Sequence, residues 1–330
     1  MKGKIICFGE ALVRYQPAED SFFNESNKVM AFPGGSEANV AVKLGQTGLP
    51  VSYISAAPDN QITREFLKIL KDNNVETDSF LYRGDRIGSY ILLSANGLSK
   101  GEVIYDRKYS SFSQIKTGEI DWHKIFEDCS WFHWTAITPA LNEELAEVMK
   151  EALEVAYSKG ITISVDLNYR NKLWQYGKSP LEVMPELVKY CHIIMGNIWA
   201  SRNMLGTSID SNLNRNTSPE EYFEFAKKNS IDLFSEYKDA RIVANTFRFM
   251  DNSNHNLLFG TLHSRNKSLI SPIYETNDII DRIGSGDAFM AGAIASLYQD
   301  LDLQGTIDNA VLEGYNKLFV TGDFSNTINK

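Results

Sequence analysis

The stretch Asp281-Arg-Ile-Gly-Ser-Gly-Asp-Ala-Phe-Met-Ala-Gly-Ala-Ile-Ala295 constrains this chain more than any other. Gly284 and Gly286 bracket a small serine, and Asp287 opens an Ala-rich apolar run that predicts a helix packed on small neighbours. A tight turn feeding a helix leaves several backbone N–H groups unpaired and pointing one way, at the positive end of the helix dipole. Such a turn accepts an anion, and phosphate is its natural guest. In a plain helix start, Asp287 would serve as a cap or dipole partner. Beside a bound phosphate, a second negative group makes sense for phosphoryl transfer. The carboxylate then takes the proton of an attacking hydroxyl while the N–H groups steady the transferring phosphoryl. The stretch is neither a P-loop nor a dinucleotide fingerprint, since both Gly-x4-Gly-Lys-Ser/Thr and Gly-x-Gly-x-x-Gly are missing here.

The 330 residues, 43% hydrophobic, suffice for one large α/β domain, and no linker, repeat or low-complexity tract divides them. A net charge of -9 argues against a nucleic-acid or acidic-membrane partner, which would need a basic face. An anionic substrate must therefore be met by locally gathered arginines. Cys7, Cys129 and Cys191 are scattered and odd in number, which reads as reduced and cytoplasmic. The five histidines show no ligand spacing. The apolar run Ile5-Ile-Cys-Phe8 is too short for a signal peptide or a membrane span, so a soluble protein is expected.

In chain order, Ile5 to Phe8 reads as a buried strand ending in a turn, and Leu12 to Tyr15 with Val29 to Phe32 as an accessory hairpin. Pro33-Gly-Gly-Ser-Glu-Ala-Asn39 follows. Gly34 and Gly35 let a ligand approach the backbone, Ser36 starts a helix, and Asn39 lies one turn in. Val51 to Ala56 reads as a strand, and Ile62 to Asn73 as a helix. Tyr90 to Leu93 and Val103 to Tyr105 read as short strands joined through Asn96-Gly97 and Lys100-Gly101 turns, completing a four-stranded flap. From Trp131 the pattern is βα alternation, with strands at Trp131 to Trp134, Ile161 to Val165 and Ile193 to Met195. Late strands are expected at Arg241 to Ala244 and Leu257 to Leu262, with a closing helix from Gln304 to Val320. Ligands then belong at the carboxyl ends of the parallel strands, where Asn168 and Arg170 follow Asp166 directly.

The pattern Asp-x-x-Gly-Ser-Gly-Asp-Ala-Phe-x-x-Gly resembles the C-terminal signature of the ribokinase-like (PfkB) carbohydrate kinases, and Gly34-Gly35 with Asn39 resembles their N-terminal one. The resemblance covers nearly the whole chain. It implies a three-layer α/β fold with a mostly parallel central sheet and a small β-sheet lid, as a single domain over 1–330 with lid strands from about 10–33 and 86–110. It implies Asp287 as the base and Gly284, Ser285 and Gly286 as the anion turn. Tyr90, Tyr105-Asp-Arg107, the segment opening at Ile137, and Asp166 to Trp174 look like the branch that phosphorylates 2-keto-3-deoxygluconate. In that branch Gly34, Gly35, Asn39, Tyr90, Tyr105, Arg107, Ile137, Arg170 and Asp323 would hold the sugar acid. Its primary hydroxyl would attack ATP in line while the lid excludes water. Asn168, Asn197, Thr246 and Arg248 would meet the nucleotide. Beside a helix N-terminus Asp287 is expected to stay ionised. Magnesium would accompany ATP. A monovalent cation near Asp281 and a homo-oligomer through the lid fit the same picture.

Two departures stand against this pattern. Asn197-Ile-Trp-Ala200 keeps the asparagine of the family's Asn-x-x-Glu but has no glutamate, so no metal ligand is assigned. Asn245-Thr-Phe-Arg-Phe-Met-Asp251 stands where a glycine-containing nucleotide turn is usual. A kinase of a neutral sugar such as fructose or ribose would share Asp287 and both glycine turns, with the arginines and tyrosines against it. A non-catalytic sugar- or nucleotide-binding regulator would account for Ala200, with the retained Asp287 against it.

Overall fold

Alternating burial builds the central sheet. In β1 (Lys4–Phe8) Ile5 and Cys7 face one apolar cluster and Ile6 and Phe8 the other, so both faces of the strand are covered. The computed structural model describes residues 2–17, 22–23, 28–93, 102–252 and 254–325. The Asn96-Gly97 and Lys100-Gly101 turns lie outside the described residues.

After β1 come β2 (Leu12–Pro17), β3 (Val29–Gly34), α1 (Ser36–Gln46), β4 (Val51–Ile54), β5 (Ala56–Ala57) and α2 (Gln61–Asp72). Then follow β6 (Val75–Glu76), β7 (Leu81–Tyr82), β8 (Gly88–Leu93) and β9 (Glu102–Asp106). The next stretch runs α3 (Trp122–Ile125), β10 (Cys129–Thr135), α4 (Ile137–Leu141), α5 (Glu143–Ser158), β11 (Thr162–Asp166), α6 (Pro180–Val188), β12 (Ile193–Met195) and α7 (Ile198–Leu205). It closes with α8 (Pro219–Glu236), β13 (Ile242–Phe249), β14 (Asn256–Ser264), β15 (Ser268–Ile270), β16 (Tyr274–Thr276), α9 (Ser285–Tyr298) and α10 (Leu303–Asn316).

The central sheet has the order β15-β14-β13-β12-β11-β10-β1-β4-β6, with β16 also on β14. It is parallel from β6 to β13 and antiparallel beyond. Helices α1, α2, α9 and α10 cover one face, and α5, α6 and α8 the other. The lid is the four-stranded sheet β3-β2-β8-β9, whose hairpin pairs are antiparallel and whose central β2–β8 pair is parallel. This is the ribokinase-like architecture, and it sets the parallel strand ends beneath the lid.

Helix α9 lies between α1 and α10, which is why it is apolar all round and buried from Ala288 to Ser296. A Cβ on Gly292 would stand 3.0 Å from the Ala310 Cα, so glycine sets the close approach of α9 and α10. Two expectations are corrected here. The strand expected to end at Ala244 continues to Phe249, because Phe247 stacks on Phe259 at 4.9 Å and packs against Tyr222, so no turn opens at Asn245. The closing helix ends at Asn316 rather than Val320. A short 3-10 turn follows, and the Leu318 carbonyl there accepts the N–H groups of Ile280 and Asp281.

Candidate active site

The turn before α9 is fixed by contacts that only glycine allows. Gly284 has φ 81°, and a Cβ on it would stand 2.3 Å from the Asp323 carbonyl oxygen. The Ser285 hydroxyl points away from any ligand and donates to the Gly314 carbonyl at 2.8 Å, locking the start of α9 onto α10. Beyond it, Gly286 is exposed, with open space where a Cβ would stand. The N–H groups of Gly286 and Asp287 belong to the first helical turn, which has no intrahelical acceptor for them. Both residues line the cavity, and N–H groups of this kind can donate to an anion.

Asp287 is held by the first turn of α1, the helix packed beside α9. Ser36 donates its hydroxyl to Oδ1 at 2.5 Å and Asn39 its amide to Oδ2 at 2.6 Å. Burial raises the Asp287 carboxyl above the usual aspartate range, while these two hydrogen bonds and the charges of Arg170 and Lys317 pull it back. The helix N-terminus alone would have kept it low, so burial is the competing effect that the sequence concealed. Ser36 also accepts from the Asn168 amide at 2.9 Å. Asn168, at φ 31°, donates its backbone N–H to Asp166 at 2.9 Å. Asp166 ends β11, and burial together with the nearby Asp287 charge pushes it up to about 7.

Helix α1 reaches this position through Glu37. Its fully buried carboxyl accepts the backbone N–H of Thr135 at 3.0 Å and the Thr135 hydroxyl at 2.7 Å, tying α1 to the end of β10. Burial pushes Glu37 up to about 7 despite these bonds.

One cavity of ≈ 540 Å³ brings the sequence-predicted residues together. It is lined by Gly35, Asn39, Tyr90, Tyr105, Arg107, Ile137, Asn168, Arg170, Asn197, Thr246, Arg248, Gly284, Ser285, Gly286, Asp287 and Asp323. Gly34 is the exception: the Asp323 carboxylate covers it, and a Cβ there would stand 2.4 Å from Oδ2. Its glycine serves that close approach rather than a ligand.

The lid contributes a polar wall. Tyr90 and Tyr105 pair across β8 and β9 with ring centroids 6.4 Å apart, and the Tyr90 hydroxyl donates to Asp323 at 2.9 Å. Burial pushes the Asp323 carboxyl up to about 6 against the pull of Arg14 and Tyr90. Arg107 is buried, and its Nε donates to Glu10 at 2.6 Å, so its charge is largely offset within the protein. Arg170 is exposed to the cavity and donates to the Tyr169 carbonyl at 3.1 Å. Among the described residues no ion pair joins it to a carboxylate.

Thr246 and Arg248, on β13, line the same cavity with Asn197, Trp199 and Ala200. Asn197 caps α7 through its side-chain oxygen, which accepts the Ala200 N–H at 2.8 Å. Buried Arg282 donates to the His255 carbonyl at 2.9 Å, while among the described residues its Nε and Nη1 meet no hydrogen-bond partner. Sequence reasoning passed over Ser36, Asp166 and Arg282. Ser36 stood next to the glycine pair and Arg282 inside the turn motif, and both read as local helix or loop residues.

The family model of pfkB family carbohydrate kinases matches residues 2–231. A 2-dehydro-3-deoxygalactonokinase of Haloferax volcanii is 25% identical over 326 residues, covering 98% of this chain and 94% of its own length. A 2-dehydro-3-deoxygluconokinase of Bacillus subtilis is 22% identical, with 98% and 92% covered. The crystal structure of a 2-dehydro-3-deoxygluconokinase from Thermotoga maritima superposes with a TM-score of 0.88 at 30% identity, covering 98% of this chain and 96% of that one.

Proposed function

The chain belongs to the pfkB family of carbohydrate kinases, and on that premise we propose that it phosphorylates the primary hydroxyl of a 2-keto-3-deoxy sugar acid, 2-keto-3-deoxygluconate first among them, with ATP as donor and Asp287 as base. The observation that carries the reading is the placement of Asp287. It lies within the cavity, next to the free N–H groups of the Gly284–Gly286 turn, and its carboxylate is aimed by Ser36 and Asn39.

In the step itself, the substrate O–H breaks, its proton passes to an Asp287 oxygen, and its oxygen forms a bond to the γ-phosphorus. The bond from that phosphorus to the bridging oxygen breaks, and ADP leaves. The raised carboxyl makes Asp287 a stronger base than an ordinary aspartate, and a positioned base of this kind contributes about 10²–10⁴-fold. The N–H groups of Gly286 and Asp287 steady the transferring phosphoryl without reorganising. Arg170, open to the cavity, suits a carboxylate on the substrate.

Kinases of this family generally use ATP with magnesium. Among the described residues no group of three or more His, Cys, Asp or Glu side chains forms a metal cage. Magnesium that arrives with phosphates needs only one or two carboxylates, and Asp166 fits: it ends a strand at the cavity, and burial leaves it short of countercharge. Bound there, the ion would neutralise charge on the nucleotide phosphates. Thr246, Arg248 and Asn197 are the nucleotide contacts in this reading.

A neutral sugar is the second reading, favoured by the Glu10–Arg107 pair, which removes one of the two expected carboxylate partners. ADP release across 2-keto-3-deoxygluconate, its galactonate epimer, gluconate, fructose and ribose separates the two. Turnover confined to the keto-deoxy acids supports the proposal, and turnover on fructose or ribose alone overturns it.

A further inference from the structure

Against the phosphoryl-binding turn, the fold buries two cations among carboxylates, one of which, Asp323, also lines the cavity. Arg14, on lid strand β2, has no exposed surface. Its Nη2 meets Asp281 at 2.8 Å and its Nε meets Asp323 at 2.6 Å. Lys317, in the 3-10 turn after α10, is 1% exposed and is the one lysine buried to this degree among the described residues. Its Nζ donates to the Val320 carbonyl at 2.9 Å, and its Cε would stand 3.3 Å from a Cβ placed on Gly284. The ammonium therefore lies against the very turn that presents the N–H groups.

Burying an ammonium is costly unless nearby charge offsets it, and here Asp281 and Asp323 offset part of that cost. Desolvation lowers the Lys317 pKa, and those two carboxylates oppose the change. The acceptors gathered around this pair are already engaged by the protein. Asp281 Oδ1 accepts the N–H of Ile283, its Oδ2 accepts the N–H of Gly322 and the Arg14 guanidinium, and the Val320 carbonyl accepts Lys317. Two carboxylates and two cations balance within the chain, leaving no uncompensated charge for an added ion.

We propose that the ammonium of Lys317 is the resident cation of the phosphoryl-binding turn, standing where an added monovalent ion would otherwise be required, so that turnover needs no potassium. Lys317 does not touch the substrate. It is a positioning residue that holds the Gly284 turn and adds positive potential behind the N–H groups, where negative charge gathers on the transferring phosphoryl. This inference rests on the kinase reading above.

The test compares kcat in choline chloride with kcat in potassium or ammonium chloride at equal ionic strength, for the wild-type chain, Lys317→Met and Lys317→Gln. The wild type is expected to change by less than about twofold. Each variant is expected to lose about tenfold or more in choline and to recover most of it with potassium or ammonium, whose charge replaces the missing one. A wild type activated about tenfold by potassium would overturn the proposal without reference to any variant. So would folded variants that match the wild type in choline, or that stay inactive in every salt. Asp287→Asn in the same assay separates the two levels: if it turns over normally the kinase chemistry is misassigned, whereas an inactive Asp287→Asn beside a fully active Lys317→Met removes only the cation.

Discussion

Ser36 donates its hydroxyl to Asp287 across 251 residues of sequence, at 2.5 Å. The same oxygen accepts the amide of Asn168, so one small side chain joins the glycine pair of the N-terminal half, the β11 strand end and the C-terminal turn.

Removing that hydroxyl should change the pH profile more than the fold. The Ser36 hydrogen bond stabilises the ionised form of Asp287 and opposes the upward push of burial. Ser36→Ala should therefore move the acid limb of kcat/KM to higher pH. The expected loss is about tenfold at the acid end of the profile and under about threefold at its alkaline end. A uniform loss across the range would mean that Ser36 acts on geometry alone.

Gly284→Ala should lower phosphoryl transfer far more than sugar binding. The added methyl group requires φ 81° of a residue with a Cβ and meets the Asp323 carbonyl at 2.3 Å, so the turn must shift. A loss of about 10²-fold or more in kcat is expected, with destabilisation of about 1–3 kcal/mol. Steady-state kinetics beside chemical unfolding would show both.

The arginines should divide by ligand. Arg170→Ala should raise KM for the sugar acid about tenfold or more with little change for ATP, and Arg248→Ala the reverse, since Arg170 follows the end of β11 while Arg248 stands on β13 beside Thr246. Equal effects on both ligands for either variant would contradict this division.

Glu37 should make the protein less stable as pH rises. Its folded pKa of about 7 lies above the ordinary glutamate value of 4.5, so the folded state holds the proton more tightly than the unfolded chain. That contribution is fully present below about pH 4.5 and is lost as pH rises through 7. Glu37→Gln cannot ionise. Between pH 5 and pH 8 the wild type should lose about 2.5 kcal/mol relative to the variant, measured by urea unfolding at each pH.

The fold and the anion turn were legible because glycine positions and apolar periodicity are local properties. Gly284, Gly286 and the apolar helix after them announced both the turn and its packing, and β1 showed its two covered faces as a continuous apolar run. What stayed hidden depended on distant partners. Arg107 gave no sign that Glu10 would claim its Nε, and Gly34 none that Asp323 would cover it. Phe247 and Phe249 extended β13 because Phe259 and Tyr222 came to meet them, a tertiary contact that overrode the missing turn. Helix α8 was legible yet passed over: Ser218 and Glu221 form a capping box with Pro219 at the first helical position. Ser36, Asp166 and Lys317 acquire their roles only when three distant segments converge.

The central claim is that Asp287 takes the proton of the attacking hydroxyl, and it is tested most directly by comparing Asp287→Asn with the wild type in both calorimetric sugar binding and kcat. Asparagine preserves the shape of the side chain but cannot accept the proton. The account predicts sugar affinity within about threefold of wild type and a kcat reduced about 10²–10⁴-fold. A variant that binds sugar normally and still turns over at near wild-type rate would contradict it.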